Sequence, residues 1–142
     1  MRLDHIGSTA VPVLAAKPII DLQLAVASVE RDASYRGGVE RLGYLFVADP
    51  ESPGYRFFAK PAERPRSYHL HVCAAGSADE LRHVALRDFL RSHLDDFEAY
   101  AAVKRALVDR TGRDRLSYIA GKARYVDALE HRALAWSRTT AG

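Results

Sequence analysis

Hydrophobic and polar positions divide the chain into a first half with the pattern of strands and a second half with the pattern of helices. Ile19 to Val26 is apolar except at Asp21 and Gln23, which predicts a strand buried on both faces. Leu3 to Ile6 predicts a shorter strand before it. Three later runs of aromatic and β-branched residues, joined by short links, predict an antiparallel meander: Tyr44–Val47, Tyr55–Lys60 and Tyr68–Cys73.

Helical signals lie between these strands and after them. Ser28 is expected to cap a helix from Val29 to Leu42. Ser77 and Glu80 form a capping box, and the apolar residues that follow recur at helical spacing. Two further helices are predicted over about 95–109 and 117–136. Trp136 and the tail from Thr139 to Gly142 are expected to fray.

The order of these elements predicts the fold class. Strands come first and helices afterwards, which is typical of an α+β fold. We expect a mixed or antiparallel sheet of four to five strands, followed by a C-terminal group of helices. With 142 residues, the chain is long enough for one domain with its own core, so we expect a single domain over residues 1–142.

Composition narrows the class of protein. Hydrophobic residues make up 48% of the chain and charged residues 27%, as in ordinary soluble globular domains. The net charge of +3 and the pI near 9.2 suit an anionic small molecule without requiring one. The single Cys73 excludes an intrachain disulfide and a cysteine-based zinc site.

Targeting and membrane signals are missing from the sequence. No apolar run approaches the ~18 residues of a membrane span, so no membrane association is expected. The N-terminus lacks the pattern of a secretory signal, which makes the cytoplasm the expected location. No platform of alternating aromatic and basic residues occurs, so nucleic acid is not an expected partner.

Asp21 is the strongest chemical signal in the sequence. A carboxylate in a buried strand needs a metal ion, a cation or a backbone partner. Transfer chemistry with two metal ions normally uses two or three carboxylates. Gln23 leaves the same face of the strand but carries no charge, so polymerase-like catalysis is not favoured unless another strand contributes a ligand.

His69 and His71 can supply that contribution. They share one face of their predicted strand, and with Asp21 on a neighbouring strand they would form a set of two imidazoles and one carboxylate. Such a set suits Zn, Mn or Fe. Two other interpretations stay open: a hydrogen-bonded polar layer, and histidines that contact a phosphate.

Several residues are candidates for binding an anion. Gly7 permits close approach of the backbone, and the Ser8 hydroxyl with free N–H groups can hold a phosphate; the alternative is an ordinary tight turn. Arg56 and Lys60 share one strand face. If Asp21 lies on that face too, the two cations can bind an anionic ligand there; otherwise the face is a solvated surface. Lys17, before the central strand, is a further cation that can line a cleft.

Several stretches of the sequence resemble the signature of the GrpB family. The two longest and most specific are His5–Pro12 and Leu14–Asp21. The others are His69–Val72, Leu86–Arg91 and the helix with Tyr118, Lys122 and Tyr125. Together they cover nearly the whole chain, so the resemblance extends to the fold.

The resemblance implies a nucleotidyltransferase-like fold, related to polymerase beta and the aminoglycoside and kanamycin nucleotidyltransferases. In that superfamily a Gly-Ser at a helix start binds the triphosphate and carboxylates on the following strands bind metal. The implied cofactors are a divalent ion (Mg or Mn, with Zn as a further option) and a nucleoside triphosphate. Similar domains are fused to dephospho-CoA kinase in actinobacteria, which implies a link to that enzyme. The positions that carry over are Gly7, Ser8, Lys17, Asp21, His69 and His71.

Three departures from the family pattern affect these expectations. Family members usually have a mostly helical segment ahead of the first strand, so we expect either a shortened N-terminus or a minimal variant with an exposed sheet edge that favours a homodimer. Val13 replaces a glycine that is usual in the family. Gln23 stands where the superfamily has its second carboxylate, although the GrpB family generally lacks it as well.

Three functions therefore stay open on the sequence. The first is an enzyme that transfers a nucleotidyl or phosphoryl group, with Asp21 and His71 as catalytic residues and Arg56 and Lys17 neutralising charge. The second is a non-catalytic module that binds an anionic metabolite or nucleotide, or helps a partner enzyme to fold. The third is a purely structural polar layer in the core.

Overall fold

The computed structural model describes residues 1–11, 19–47, 55–61, 63, 65–112 and 114–140. Lys17, Pro12, Val13 and Pro18 lie outside the described residues. The strands are β1 (Arg2–Ile6), β2 (Ile20–Val26), β3 (Leu45–Val47), β4 (Tyr55–Lys60) and β5 (Tyr68–Ala74). The helices are α1 (Arg36–Arg41), α2 (Ala78–Ser92), α3 (Leu94–Thr111) and α4 (Arg115–Thr140), with 3-10 turns at Ser8–Ala10 and Asp32–Ser34.

The strands form one mixed sheet in the order β1-β2-β5-β4-β3. β3, β4 and β5 are antiparallel neighbours, which confirms the predicted meander. β2 pairs parallel to β5 and antiparallel to β1. The α+β class, the mixed sheet and the C-terminal helices are thus as predicted. The parallel pairing of β2 with β5 is the feature that assembles the site described below.

One face of the sheet carries an apolar core. Val26, Phe58, Leu70 and Val72 are at most 5% exposed and point to this face. They pack against residues of the segment between β2 and β3, namely Val29, Tyr35, Val39 and Tyr44. Burial of this kind contributes roughly 1.5–3 kcal/mol for each large side chain, so it fixes which face of β2 and β5 looks inward.

The helix predicted over Val29–Leu42 is much shorter in the structure. It begins only at Arg36, after the 3-10 turn Asp32–Ser34. The Tyr35 hydroxyl contacts the Val29 carbonyl and lies 2.9 Å from Oδ1 of Asp32, which holds the preceding residues in turns. These local hydrogen bonds to the backbone and to a side chain replace the helical hydrogen bonds in this segment.

The three C-terminal helices form a second core that covers the other side of the sheet. Its buried members include Phe89, Phe97, Tyr100 and Leu129. Helix α2 begins as predicted, because Oγ of Ser77 accepts from the Glu80 N–H at 3.3 Å. The predicted fraying near Trp136 is wrong: its ring lies 5.7 Å from Phe89, and α4 continues to Thr140. No described helix is both long enough and apolar enough to cross a membrane.

Candidate metal and phosphate site

The face of the sheet that looks toward α2 carries a cluster of polar side chains. Parallel pairing sets Asp21 beside His69 and Gln23 beside His71. Paired residues in a sheet leave the same face, so all four side chains meet on it. The sequence predicted each alternation separately. The pairing of β2 with β5 brings the two sets together.

Asp21 lies at the centre of this cluster. Its Oδ1 is 3.0 Å from Nε2 of His71 and 3.3 Å from Nδ1 of His69. One ligand atom from each of the three residues lies within 4.8 Å of the other two. The three side chains are 18–27% exposed, so a small ligand can reach them. The same contacts also suit a hydrogen-bonded carboxylate between two imidazoles.

The distances and the donor types fit a single metal ion. Bonds of roughly 2.0–2.2 Å to nitrogen and oxygen place neighbouring ligands of a tetrahedral ion about 3.3 Å apart. The contacts of the Asp21 oxygen with the two imidazoles, at 3.0 and 3.3 Å, already have that spacing. Two imidazoles and one carboxylate favour Zn²⁺, Mn²⁺ or Fe²⁺ over Mg²⁺, which prefers oxygen ligands and water.

The charge on Asp21 is stabilised by its neighbours. Burial raises the pKa of Asp21, but the hydrogen bond from His71 and the charges of His71 and His69 outweigh it, so the pKa lies below the usual 3.8. The carboxylate is therefore ionised at neutral pH. An ionised carboxylate is the form that binds a cation.

Gly7 sits against the Asp21 carboxylate. Its φ is +76°, and a Cβ built on it would lie 2.8 Å from Oδ2 of Asp21. Glycine is therefore required there for two reasons, the backbone conformation and the close approach. The turn Ser8–Ala10 follows Gly7 directly in the chain, so its backbone begins next to Asp21.

Two arginines of α2 hold this turn in place. Arg87 donates to Oδ1 of Asp4 at 3.0 Å and to the His5 carbonyl at 3.3 Å. Arg91 donates to the Ala10 carbonyl at 2.8 Å. Both arginines belong to the Leu86–Arg91 stretch that resembles the family signature. Within the described residues their contacts tie the helices to the turn beside Asp21.

Replacing Arg87 by methionine should lower the free energy of unfolding by about 2 kcal/mol. Arg87 and Asp4 are each 12% exposed, and the change leaves the carboxylate of Asp4 with Arg2 as its described cation. The loss is measured by urea unfolding at pH 7. Arg105→Met, at an exposed position of α3, is the matched control and should change stability by less than about 0.5 kcal/mol. Equal effects of the two changes would contradict this role of Arg87.

Two side chains of β4 belong to the site although the sequence did not single them out. The Tyr55 hydroxyl contacts Nδ1 of His71. The Phe57 ring lies 5.0 Å from the ring of His69 and 5.3 Å from that of His71. Alternation already set Tyr55 and Phe57 on one face. The register of β4 with β5, which sets Phe57 beside His71, could not be read from the sequence.

His83 is a third histidine of the site that sequence reasoning missed. Its Nδ1 is 2.6 Å from Oε1 of Gln23, whose amide nitrogen donates to the Glu80 carbonyl at 3.4 Å. The ring centroids of His83 and His71 are 6.1 Å apart. Burial, followed by the charges of His71 and Arg82, lowers the pKa of His83 to about 4. The only sequence signal was its spacing of three from Glu80 on the inward side of α2.

Helices α3 and α4 each contribute an aromatic residue to a stacked pair, Tyr100 and Tyr125. Tyr100 is 6% exposed and stacks on Tyr125 with ring centroids 5.8 Å apart. Lys104 lies 5.3 Å from the Tyr100 ring centroid. Burial raises the pKa of Tyr100, and the charge of Asp21 is among the smaller contributions. The phenol therefore stays protonated and lies within electrostatic range of Asp21.

Arg56 does not meet the condition under which it would bind the anion, because it does not share a face with Asp21. Arg56 pairs with Val72, and Lys60 pairs with Tyr68, so both leave the face opposite Asp21. Lys60 lies 5.8 Å from the Tyr44 ring centroid on that side. Among the described residues, Arg66 is a cation on the side of the site: its guanidinium carbon lies 6.0 Å from the Phe57 ring centroid.

Fold and site together define a class of protein: an α+β domain in which one carboxylate and two imidazoles meet beneath a Gly-Ser turn. Comparison with known proteins then assigns the family. The family model described as "GrpB protein" matches residues 1–132. The chain belongs to the GrpB family.

Individual relatives agree with this assignment. A UPF0157 protein of Pseudomonas aeruginosa is 40% identical over 141 residues, covering 97% of this chain and 57% of that protein. A dephospho-CoA kinase of Mycolicibacterium paratuberculosis is 27% identical over 165 residues, covering 99% of this chain and 40% of that protein. The chain thus spans about half the length of these two relatives.

A solved structure confirms the fold. The crystal structure of conserved protein GrpB from Enterococcus faecalis superposes with a TM-score of 0.82 at 32% identity. The match covers 96% of this chain and 82% of that one. The arrangement of sheet and helices is therefore that of the family.

Proposed function

We propose that the domain binds one divalent transition-metal ion through Asp21, His69 and His71. Together with the Gly7–Ser8 turn, this site would hold the phosphate of a nucleotide or another phosphorylated small molecule for nucleotidyl or phosphoryl transfer. The observation that supports this most is the convergence of the three ligand atoms within 4.8 Å of one another, beside a turn that touches Asp21. Zn²⁺ or Mn²⁺ suits the donor set better than Mg²⁺.

The residues of the site have separate roles in this proposal. A bound ion would act as a Lewis acid on a phosphoryl oxygen. Asp21 orients both imidazoles through one oxygen atom, and Gly7 lets the backbone of the turn come close to the ligands. Lys17, which lies outside the described residues, stays the proposed neutralising cation of the preceding loop. Arg66 replaces Arg56 as the candidate cation of the sheet face.

A second candidate function is a non-catalytic module that binds the same type of ligand. One observation favours it: Gln23 is fully buried, and its amide is engaged by His83 and by the Glu80 carbonyl. The side chain at the position of the second superfamily carboxylate therefore shares the face of the ligand set, but its hydrogen bonds go to α2. Chemistry that needs two ions bridged by carboxylates has no support at this position. The similarity to a dephospho-CoA kinase makes that enzyme a proposed partner of such a module.

Metal binding tests both candidates. Calorimetric titration of the metal-free protein should show one site for Zn²⁺ or Mn²⁺ and weaker binding of Mg²⁺. Asp21→Asn should weaken the affinity at least 100-fold, because it removes the anionic ligand shared by both histidines. Asp109→Asn, at an exposed position of α3, is the control and should bind like the wild type. Equal affinities of Asp21→Asn and the wild type would refute the site.

Nucleotide experiments separate the two candidates. With Mn²⁺ present, ATP or inorganic phosphate should raise the melting temperature of the wild type and leave that of Asp21→Asn unchanged. Phosphorus NMR of the same samples reports turnover of ATP. Consumption of ATP that depends on Asp21 supports transfer. Binding without consumption supports the module, and no melting shift with any pairing of metal and phosphate would refute both.

A further inference from the structure

Tyr55 contacts the nitrogen of His71 that points away from Asp21. Its hydroxyl contacts Nδ1 of His71, while Nε2 of the same ring lies 3.0 Å from Oδ1 of Asp21. Both nitrogens of His71 are therefore occupied.

The protons of His71 follow from these two contacts. A neutral imidazole has one N–H, and a carboxylate can only accept. In the metal-free protein Nε2 therefore carries the proton and donates it to Asp21, so Nδ1 accepts from the Tyr55 hydroxyl. A metal ion needs the lone pair of Nε2, which requires the proton to be on Nδ1. Nε2 loses one proton to solvent and Nδ1 gains one, so the charge of the neutral ring is unchanged.

A hydroxyl suits both arrangements, because it can donate and accept. Before metal binding the Tyr55 O–H donates to Nδ1; afterwards its oxygen accepts from Nδ1–H. A carboxylate at this position could serve only the second arrangement, and an ammonium only the first. We propose that Tyr55 is the positioning residue of the metal centre, holding the His71 ring, in both proton arrangements, in the orientation that points Nε2 toward the ion. This inference rests on the proposed function.

The surroundings of the ring favour this role. The centroids of Tyr55 and His71 are 5.6 Å apart, and Phe57 packs at 5.3 Å from the same imidazole. Removing only the hydroxyl therefore leaves these ring contacts in place. Partners at the second nitrogen of a ligating histidine typically contribute 10–100-fold to metal affinity.

The test compares Tyr55→Phe with Tyr68→Phe. Tyr68 is on β5 and faces the opposite side of the sheet, so the control makes the same chemical change away from the site. Zinc affinity of Tyr55→Phe should fall about 10-fold or more. The affinity of Tyr68→Phe should match the wild type. Nitrogen-15 NMR should show the His71 proton on Nε2 in metal-free wild type and on Nδ1 with zinc. In metal-free Tyr55→Phe, Asp21 still keeps the proton on Nε2, but the Nδ1 resonance should move to the position of a nitrogen that accepts no hydrogen bond from a hydroxyl.

The outcomes separate the two levels of the proposal. If Asp21→Asn loses zinc and Tyr55→Phe keeps both the wild-type affinity and the wild-type Nδ1 resonance, the role of Tyr55 is wrong and the metal site stands. If Asp21→Asn binds zinc like the wild type, the metal site is wrong, and the role of Tyr55 is overturned with it. A loss of affinity in Tyr55→Phe without unfolding, read from the circular dichroism spectrum, supports the inference.

Discussion

Gly7→Ala is expected to destabilise the protein by about 3 kcal/mol and to weaken metal binding. Gly7 has a φ of +76°, which costs an alanine roughly 1–2 kcal/mol, and the new Cβ would lie 2.8 Å from Oδ2 of Asp21. Relieving such a contact typically costs another 1–3 kcal/mol. Because the carboxylate is the group that must move, the same substitution should also disturb the ligand set.

Gly76 provides the matched control. Its φ is +78°, nearly the same as that of Gly7, but no atom lies within 4 Å of a Cβ built there. Gly76→Ala should therefore show only the backbone cost, about 1 kcal/mol, and normal metal affinity. Urea unfolding and calorimetric titration of both variants measure the difference. Equal losses of unfolding free energy in the two variants would mean that the close approach of Gly7 to Asp21 does not contribute to the cost of the substitution.

His83 should make the metal-free protein less stable as the pH falls from about 6.5 to about 4. The pKa of His83 is lowered to about 4 in the folded state, from 6.5 in the unfolded chain. Between these values the unfolded chain binds a proton that the folded protein does not, so protonation favours unfolding. The full shift corresponds to at most about 3 kcal/mol.

The measurement is the free energy of unfolding in EDTA at pH 7.5 and pH 4.5. His83→Gln has no titrating group and should lose less stability over this range than the wild type. His131→Gln, whose side chain is 75% exposed in α4, should lose as much as the wild type. Asp4 and Asp21 have pKa values below the usual 3.8, and their stabilising effect is lost only as the pH falls through those folded-state values. They therefore change the free energy of unfolding below about pH 4, outside the range that is compared. Parallel pH curves for wild type and His83→Gln would contradict the assignment.

The sequence was sufficient for the elements and for the separate halves of the site. The period of two placed Asp21 with Gln23 and His69 with His71, each pair on one strand face. The capping box at Ser77 and the helical spacing after it located the start of α2. The sequence pattern predicted the wrong helix boundary in two places. In the segment before α1, the contacts of Tyr35 hold residues in turns where a helix was predicted. Near Trp136, packing on Phe89 extends α4 where fraying was predicted.

The partners of the site depended on which strands pair and in which register. Arg56 and Tyr55 are adjacent in the chain and point to opposite faces, but only the pairing of Phe57 with His71 shows which of the two meets the histidines. His83 reaches Gln23 across 60 positions of sequence. No periodic pattern in the sequence predicts either contact, because both depend on how the strands pair and how α2 packs on the sheet.

The sequence by itself therefore determined the α+β order of elements, the family signature and the residues able to bind a metal. The tertiary structure decided that β2 and β5 lie side by side and parallel, that Gly7 touches Asp21, and that Tyr55 and His83 complete the cluster. The physical reason is the range of the interactions. Periodicity and capping act over one or two turns of chain, whereas strand pairing and helix packing join residues that are tens of positions apart.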